Sequence, residues 1–249
     1  MAETKYELTL TKVTGRPTKV EIPAEASAIG ARVFRYHSAL QQVIIPEGIE
    51  FIDDEAFAGC MKLREVVLPS TLKAMGQSVF RGCLRLERVE FKGAMESLPA
   101  GTFQRCRALT EVVLPRGLTD VCEAAFKRCG RLERMELPDT VETIGASAFE
   151  ECKGLVDFVW PAALEFVDSD AFANCTSLRE AVLPESVRLI GQGCFRDCES
   201  LEVALVPEGV ESLEAEVFAG CTALTEVSLP TTLEYVDDSA FDGCTALGY

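Results

Sequence analysis

Basic side chains are scarce in this 249-residue chain: 24 Lys and Arg stand against 40 Asp and Glu, a formal net charge of −16. Affinity for nucleic acid depends on cations that neutralise phosphate and release counterions, so the balance argues against a nucleic-acid ligand. Histidine is scarcer still. His37 is the only one, and without a second histidine or a nucleophile paired to it, it seeds neither a catalytic triad nor a typical metal site. Scattered carboxylates are all that remains for general-base work near neutrality, so no enzyme activity and no cofactor are expected. No apolar run reaches the ~18 residues of a membrane span, which excludes membrane insertion by a helix. Residues Met1 to Gly15 lack a basic segment followed by an apolar one, so no secretory signal is visible and localisation stays open. Cys-x-x-Cys is absent, and Gly191-Gln192-Gly193 is too short for a phosphate loop.

What is present is a period. Phe34, Phe57, Phe80, Phe103, Phe126, Phe149, Phe172, Phe195, Phe218 and Phe241 recur every 23 residues. Three positions after each stands His37 in the first copy and cysteine in the rest: Cys60, Cys83, Cys106, Cys129, Cys152, Cys175, Cys198, Cys221 and Cys244. Leucine always follows at the sixth position, from Leu40 to Leu247. Apolar pairs at the ninth and eleventh, such as Val66 and Leu68 or Met135 and Leu137, have the spacing of a strand with one face buried. Proline then stops that strand in every copy that continues far enough except the one bearing Lys92, because it lacks an amide hydrogen. A second apolar pair, for example Ile49 and Ile52 or Val141 and Ile144, predicts a shorter and less regular strand. The run into the next phenylalanine, as in Gly145-Ala146-Ser147-Ala148-Phe149, predicts one helical turn. Single cores stop growing near ~250–300 residues, but each unit of a repeat contacts only its neighbours, so the whole chain is expected to be one domain. Within it, residues 1–18, where Tyr6, Leu8 and Leu10 alternate with polar residues, are expected to form an N-terminal cap strand, and 19–249 the array.

The unit L-x-x-V-x-L-P-x-x-L-x-x-I-G-x-x-A-F-x-x-C resembles the BspA-like, or treponemal, type of leucine-rich repeat from about Lys19 to the C-terminus. The resemblance implies a right-handed arc-shaped solenoid with a parallel sheet on its concave face and short second strands and single helical turns on the convex side. It implies a noncatalytic protein-binding module, since such proteins are often surface proteins that engage other proteins, and this leans localisation toward the cell surface. The alternative is a scaffold or linker subunit of a larger assembly, with stacking or partner contact at the C-terminal face of Phe241 and Leu247. The buried Asn ladder of commoner leucine-rich repeats is missing; Thr71, Gly117, Thr140, Ser186 and Thr232 stand near its place, so loop backbone groups need other partners.

Equivalent residues stack into columns, and the columns supply the candidate sites. The cysteine column is expected to be buried as small hydrophobes with weak thiol hydrogen bonds rather than to bridge or bind metal; Cys122 and Cys194 lie outside it. Carboxylates before the phenylalanines, such as Asp53, Asp54 and Glu55 or Asp168 and Asp170, are expected to cap helical turns rather than bind calcium. Asn174-Cys175-Thr176 has the form of a glycosylation sequon but falls in a tight turn. Eight positions after each phenylalanine, Glu65, Arg88, Glu111, Arg134 and Asp157 alternate in sign, a ladder that neutralises itself. Two positions on, aliphatic residues face outward; Val159, Val182 and Leu205 are consecutive, with Val156 and Val203 alongside and Asp157, Glu180 and Glu202 as an acidic rim. This stripe is the candidate partner site, weighed against the ordinary preference of strands for β-branched residues. A second candidate is the basic run Arg81, Arg85, Arg105, Arg107, Lys127, Arg128, Arg131 and Lys153, either solvated or a docking patch for an acidic partner. It contrasts with residues 154–249, where three basic residues face 18 acidic ones.

Overall fold

A computed structural model describes residues 9–12 and 14–248. Tyr6 and Leu8 of the expected cap strand lie outside the described residues, while Leu10 pairs in parallel with Ile29. The chain winds as a solenoid of about ten coils whose 21 described strands are each two to four residues long, and all strand pairs are parallel and 19 or 23 residues apart in register.

Two of the three sides of each coil are strands. The concave side carries the first strand of each unit, in four hydrogen-bonded groups: Lys19–Glu21 with Gln42–Ile44; Glu65–Leu68, Arg88–Phe91 and Glu111–Val113; Arg134–Glu136 with Asp157–Val159; and Glu180–Val182, Val203–Leu205 and Glu226–Ser228. The second side carries two-residue strands such as Phe51–Ile52, Val121's pair Asp120–Val121, and Leu189–Ile190. Their brevity follows from the turns on either side. At the corner between the two sides, hydroxyls replace the missing Asn ladder: Thr71 Oγ1 donates to the Ile49 carbonyl (2.9 Å), Thr140 Oγ1 to Leu118 (2.7 Å) and Ser186 Oγ to Leu164 (2.7 Å).

The third side, expected to be a helical turn, is not one, and no helix occurs among the described residues. Around Phe57 the amides of Ala56, Ala58 and Cys60 close local turns onto Asp53, Glu55 and Phe57, whereas those of Glu55, Phe57 and Gly59 donate to Gln77, Val79 and Arg81 of the next coil at 2.9, 3.0 and 2.7 Å. A helix would consume all of these amides within the segment. The alternation requires left-handed backbone two residues before and two after the phenylalanine, and all 13 non-glycine residues with positive φ occupy those places, from Arg32 and Tyr36 to Glu216. The carboxylates read as helix caps instead close turns and bridge coils: Asp53 accepts the Asp54 amide (2.7 Å) and Asp54 the Gln77 amide (2.7 Å).

Inside, the nine phenylalanines from Phe34 to Phe218 are fully buried, and Phe241 is half-buried. Neighbouring rings stack at centroid distances of 4.9 to 5.8 Å, within the offset-stacked range that adds roughly 0.5–1.5 kcal/mol per pair.

Gly82 has φ +71°, and a Cβ there would meet only Gly59 backbone at 4.0 Å, so conformation and not space favours glycine there. Gly82→Ala should lower the urea-unfolding free energy by roughly 1–2 kcal/mol, the cost of a left-handed alanine. Gly130→Ala, at an open position outside the positive-φ set, should leave it within about 0.5 kcal/mol.

Candidate functional site

The cysteine column is structural. Each of its nine thiols donates to the carbonyl of the phenylalanine in the preceding coil at 3.1 to 3.3 Å. The Phe57 carbonyl thus accepts the Cys60 amide from its own coil and the Cys83 thiol from the next. All 11 cysteines are free, and ten are buried, Cys122 being half-buried. Burial disfavours the thiolate and pushes Cys60, Cys106 and Cys152 up to about 12. Thiol nucleophilicity needs the thiolate, so the column is inert in the folded protein. His37 is half-buried at the same place in the first coil, edge-on to Phe34 with centroids 5.8 Å apart. Among the described residues no group of three or more His, Cys, Asp or Glu is placed to hold a metal.

The outward face of the concave sheet divides in two. In its first part the alternating charges meet within two pieces, Glu65 to Glu111 and Arg134 to Asp157, the ladder being open between Glu111 and Arg134. Arg88 lies between Glu65 (2.8 Å) and Glu111 (3.1 Å) and also reaches Glu90 (2.8 Å), hydrogen bonds that raise its pKa further. Arg134 pairs with Asp157 and Glu136. Beyond Asp157 neutralisation stops: the positions in register are Glu180, Val203 and Glu226, and neither glutamate, nor Glu202 beside them, has an ion-pair partner among the described residues.

The proposed stripe occupies this second part. Val182 is 41% and Val156 44% exposed; Val159, Val203 and Leu205 are half-buried, and Asp157 and Glu180 are exposed. Val182 and Leu205 are direct neighbours in register, and Val203 sits between Glu180 and Glu226. Val159 does not join them by backbone pairing, because the ladder is open between Asp157–Val159 and Glu180–Val182. At that opening lies a concavity of about 300 Å³ lined by Val156, Asp157, Phe158, Trp160, Arg179, Glu180 and Val182. Phe158 and Trp160 occupy inward positions held by aliphatic residues in most coils, and they lean on Phe172 (4.8 and 5.1 Å), with Trp160 also meeting Phe195 at 6.1 Å. The same inward column continues with the small Ala181 and Ala204, both buried.

The sequence reading did not pick out Phe158, Trp160 or Arg179 as site residues. The available signal was Trp160 itself, the single tryptophan, standing in a column otherwise aliphatic apart from Phe91.

The basic run follows the side of the solenoid after the phenylalanines. Arg81, Arg85, Arg105, Arg107, Arg131 and Lys153 are exposed and make no ion pair among the described residues, but Lys127 and Arg128 are half-buried and held by Glu150 and Glu151 of the next coil. The Arg128 hydrogen bonds in turn lower the pKa of Glu151. At the last described coil Phe241 and Leu247 are half-buried, and Leu229, Tyr235 and Val236 are 42%, 53% and 40% exposed.

A family model described as the BspA type leucine rich repeat region matches residues 14–133 and again 119–248. Among solved structures, a leucine rich cell surface protein from Faecalibacterium prausnitzii is 23% identical, with a TM-score of 0.53 over 96% of this chain and 89% of that one. A leucine-rich repeat protein from Bacteroides ovatus is 24% identical, with a TM-score of 0.50 over 96% and 81% of the two chains. One from Eubacterium ventriosum is 17% identical, with a TM-score of 0.51 over 93% and 84%. At these identities the likeness establishes the fold. No curated protein matches.

The thiols bind protons more tightly folded than unfolded. Their contribution to stability is therefore whole below the ordinary thiol value of 9.0 and is lost as pH rises from there toward about 12. Denaturant midpoints should fall steeply over that window, and at pH 8 a thiol reagent should label only Cys122 rapidly, the remaining ten following global unfolding. Rapid labelling of the column would show that the thiols are not held as described.

Proposed function

This chain belongs to the BspA type leucine rich repeat family, and we propose that it is a noncatalytic protein-binding module whose site is the second part of its concave face. The observation that carries the reading is the change across the sheet. Charges neutralise one another around Arg88 and between Arg134 and Asp157, and beyond them exposed Val182 and half-buried Val203 and Leu205 alternate with glutamates that have no ion-pair partner among the described residues. A strand surface needing only solubility would be served by the first arrangement throughout. The second offers Val182, Leu205 and Val203 as apolar contact area with Glu180, Glu202 and Glu226 around them, and a concavity over Trp160 large enough for one side chain.

The chemistry that fits is a protein partner with an apolar anchor flanked by lysine or arginine. The anchor would enter beside Val156, Trp160 and Val182, and its cationic flanks would meet the unpaired Glu180 and Glu202. Burying one such side chain is worth roughly 1.5–3 kcal/mol, and fully desolvated anchors of this kind dominate protein interfaces. No helix among the described residues is long and apolar enough to cross a membrane. A place at the cell surface, the description borne by the Faecalibacterium protein, is part of this proposal.

Affinity capture from the native source with the wild-type chain and with the Val182→Lys, Leu205→Lys double variant provides the test. The partner recovered by the wild type should be lost from the variant, with affinity reduced at least about 100-fold, while far-UV circular dichroism stays the same. Titration of that partner should also change the emission of Trp160, the sole tryptophan. Equal recovery by both chains contradicts the proposal.

A further inference from the structure

Some side-facing cations of the solenoid are held by carboxylates of an adjacent coil. Arg32 and Arg35 both reach Glu55 (2.6 and 3.2 Å), Lys127 meets Glu150, and Arg196 meets Asp170 (2.7 Å). On the coils centred on Phe103, Phe126 and Phe149, Arg107, Arg131 and Lys153 are left without such a partner among the described residues. There a concavity of about 610 Å³ is lined by Arg107, Arg128, Gly130, Arg131, Glu151 and Lys153. Arg107, Gly130 and Lys153 hold the same place in three successive coils, so glycine opens the floor between two cations. A Cβ at Gly130 would meet nothing within 4 Å. In the next column Arg131 is followed by Gly154, where a Cβ would lie 2.6 Å from the Gly130 carbonyl oxygen, so the wall there stays bare. Arg128 is occupied by Glu151 through two hydrogen bonds of 2.7 and 2.8 Å. Arg107, Arg131 and Lys153 have no ion-pair partner among the described residues, and four cations against one carboxylate leave the notch at +3.

We propose that this notch is a second binding site, for a short extended acidic segment of a protein partner carrying aspartate or glutamate two or three residues apart. Coils repeat at ~4.8 Å, which puts Arg107 and Lys153 about 10 Å apart along the stack, the reach of two or three residues of extended chain at ~3.3 Å each plus the flexible cationic stems. The discrete size favours a few carboxylates over a long polyanion. Such a polyanion would overrun Glu150, which is paired with Lys127, and meet the acidic residues 154–249, whereas a short segment stays within about one Debye length, ~10 Å at 0.1 M salt, of the three free cations. Exposed Arg81, Arg85 and Arg105 extend the positive field toward the N-terminus and serve to steer the segment in. This site shares no residue with the concave face and does not rest on the reading given for it.

Fluorescence anisotropy with a dye-labelled Gly-Glu-Gly-Glu-Glu-Gly-Glu peptide provides the test, using the full chain. Binding should weaken as sodium chloride is raised, and the glutamine analogue of the peptide should not bind. Gly130→Glu, which places a carboxylate in the notch, and separately Arg107→Glu with Lys153→Glu, should each lower affinity at least about tenfold with unchanged thermal melting. Arg64→Glu, reversing an exposed cation elsewhere, should not, nor should the Val182→Lys, Leu205→Lys variant. No binding by the wild type, equal binding by the notch variants, or equal binding of the glutamine peptide overturns the proposal. So does a sulfated oligosaccharide that outcompetes the peptide, or salt-sensitive self-association of the chain abolished by the same variants, since each assigns the notch to another occupant.

Discussion

No coil of this protein can satisfy its own backbone. A 23-residue turn with strands of two to four residues has few internal hydrogen bonds to make, so its amides and carbonyls are paired by the coils before and after it on all three sides. Unpaired buried backbone groups are costly, and this requirement sets the period more strictly than side-chain packing does. An insertion of one residue would displace three ladders at once. The side once expected to be helical shows how far the requirement reaches: the chain accepts left-handed backbone at residues such as Glu55, Ala124 and Asp170 so that alternate amides point along the stack.

The core fills the space that these ladders leave. Stacked phenylalanine rings repeat at the coil spacing, and each cysteine thiol covers the second lone pair of a phenylalanine carbonyl that would otherwise face apolar surroundings. A small, weak donor suits that place, where a larger polar group would bring atoms needing partners of their own. With inward columns committed in this way, recognition is left to the outward ones. What varies there is whether successive coils answer each other's charges. They do around Arg88 and Arg128, and they do not around Glu180 or around Arg107 and Lys153.

Much of this was legible in the residues because it is periodic. The phenylalanine, cysteine and leucine columns and the first strand with its proline stop follow from spacing alone, and the structure agrees with each; the charge ladder is met in two pieces, Glu65 to Glu111 and Arg134 to Asp157. The helical turn was misread because left-handed backbone leaves a sequence trace only where glycine occupies it, as at Gly59 and Gly82, and thirteen of these positions carry other residues. The opening beside Trp160 was invisible because the period is unbroken there, as it is at the openings after Gln42–Ile44 and Glu111–Val113. The pairing of Lys127 and Arg128 with Glu150 and Glu151 could have been read, since each pair is one period apart, and doing so would have reduced the basic run to its free members.

Native-state hydrogen exchange at the amides of Glu55, Ser78 and Gly101 tests the central claim most directly. Each begins the third side of its coil, where a helical turn would leave the amide without a partner in the segment. Here they donate to Gln77, Ala100 and Glu123 of the following coils at 2.9, 2.8 and 2.9 Å. The account predicts protection equal to that of the concave-strand amides, lost only with global unfolding. Exchange at the rate of exposed corner amides would contradict it.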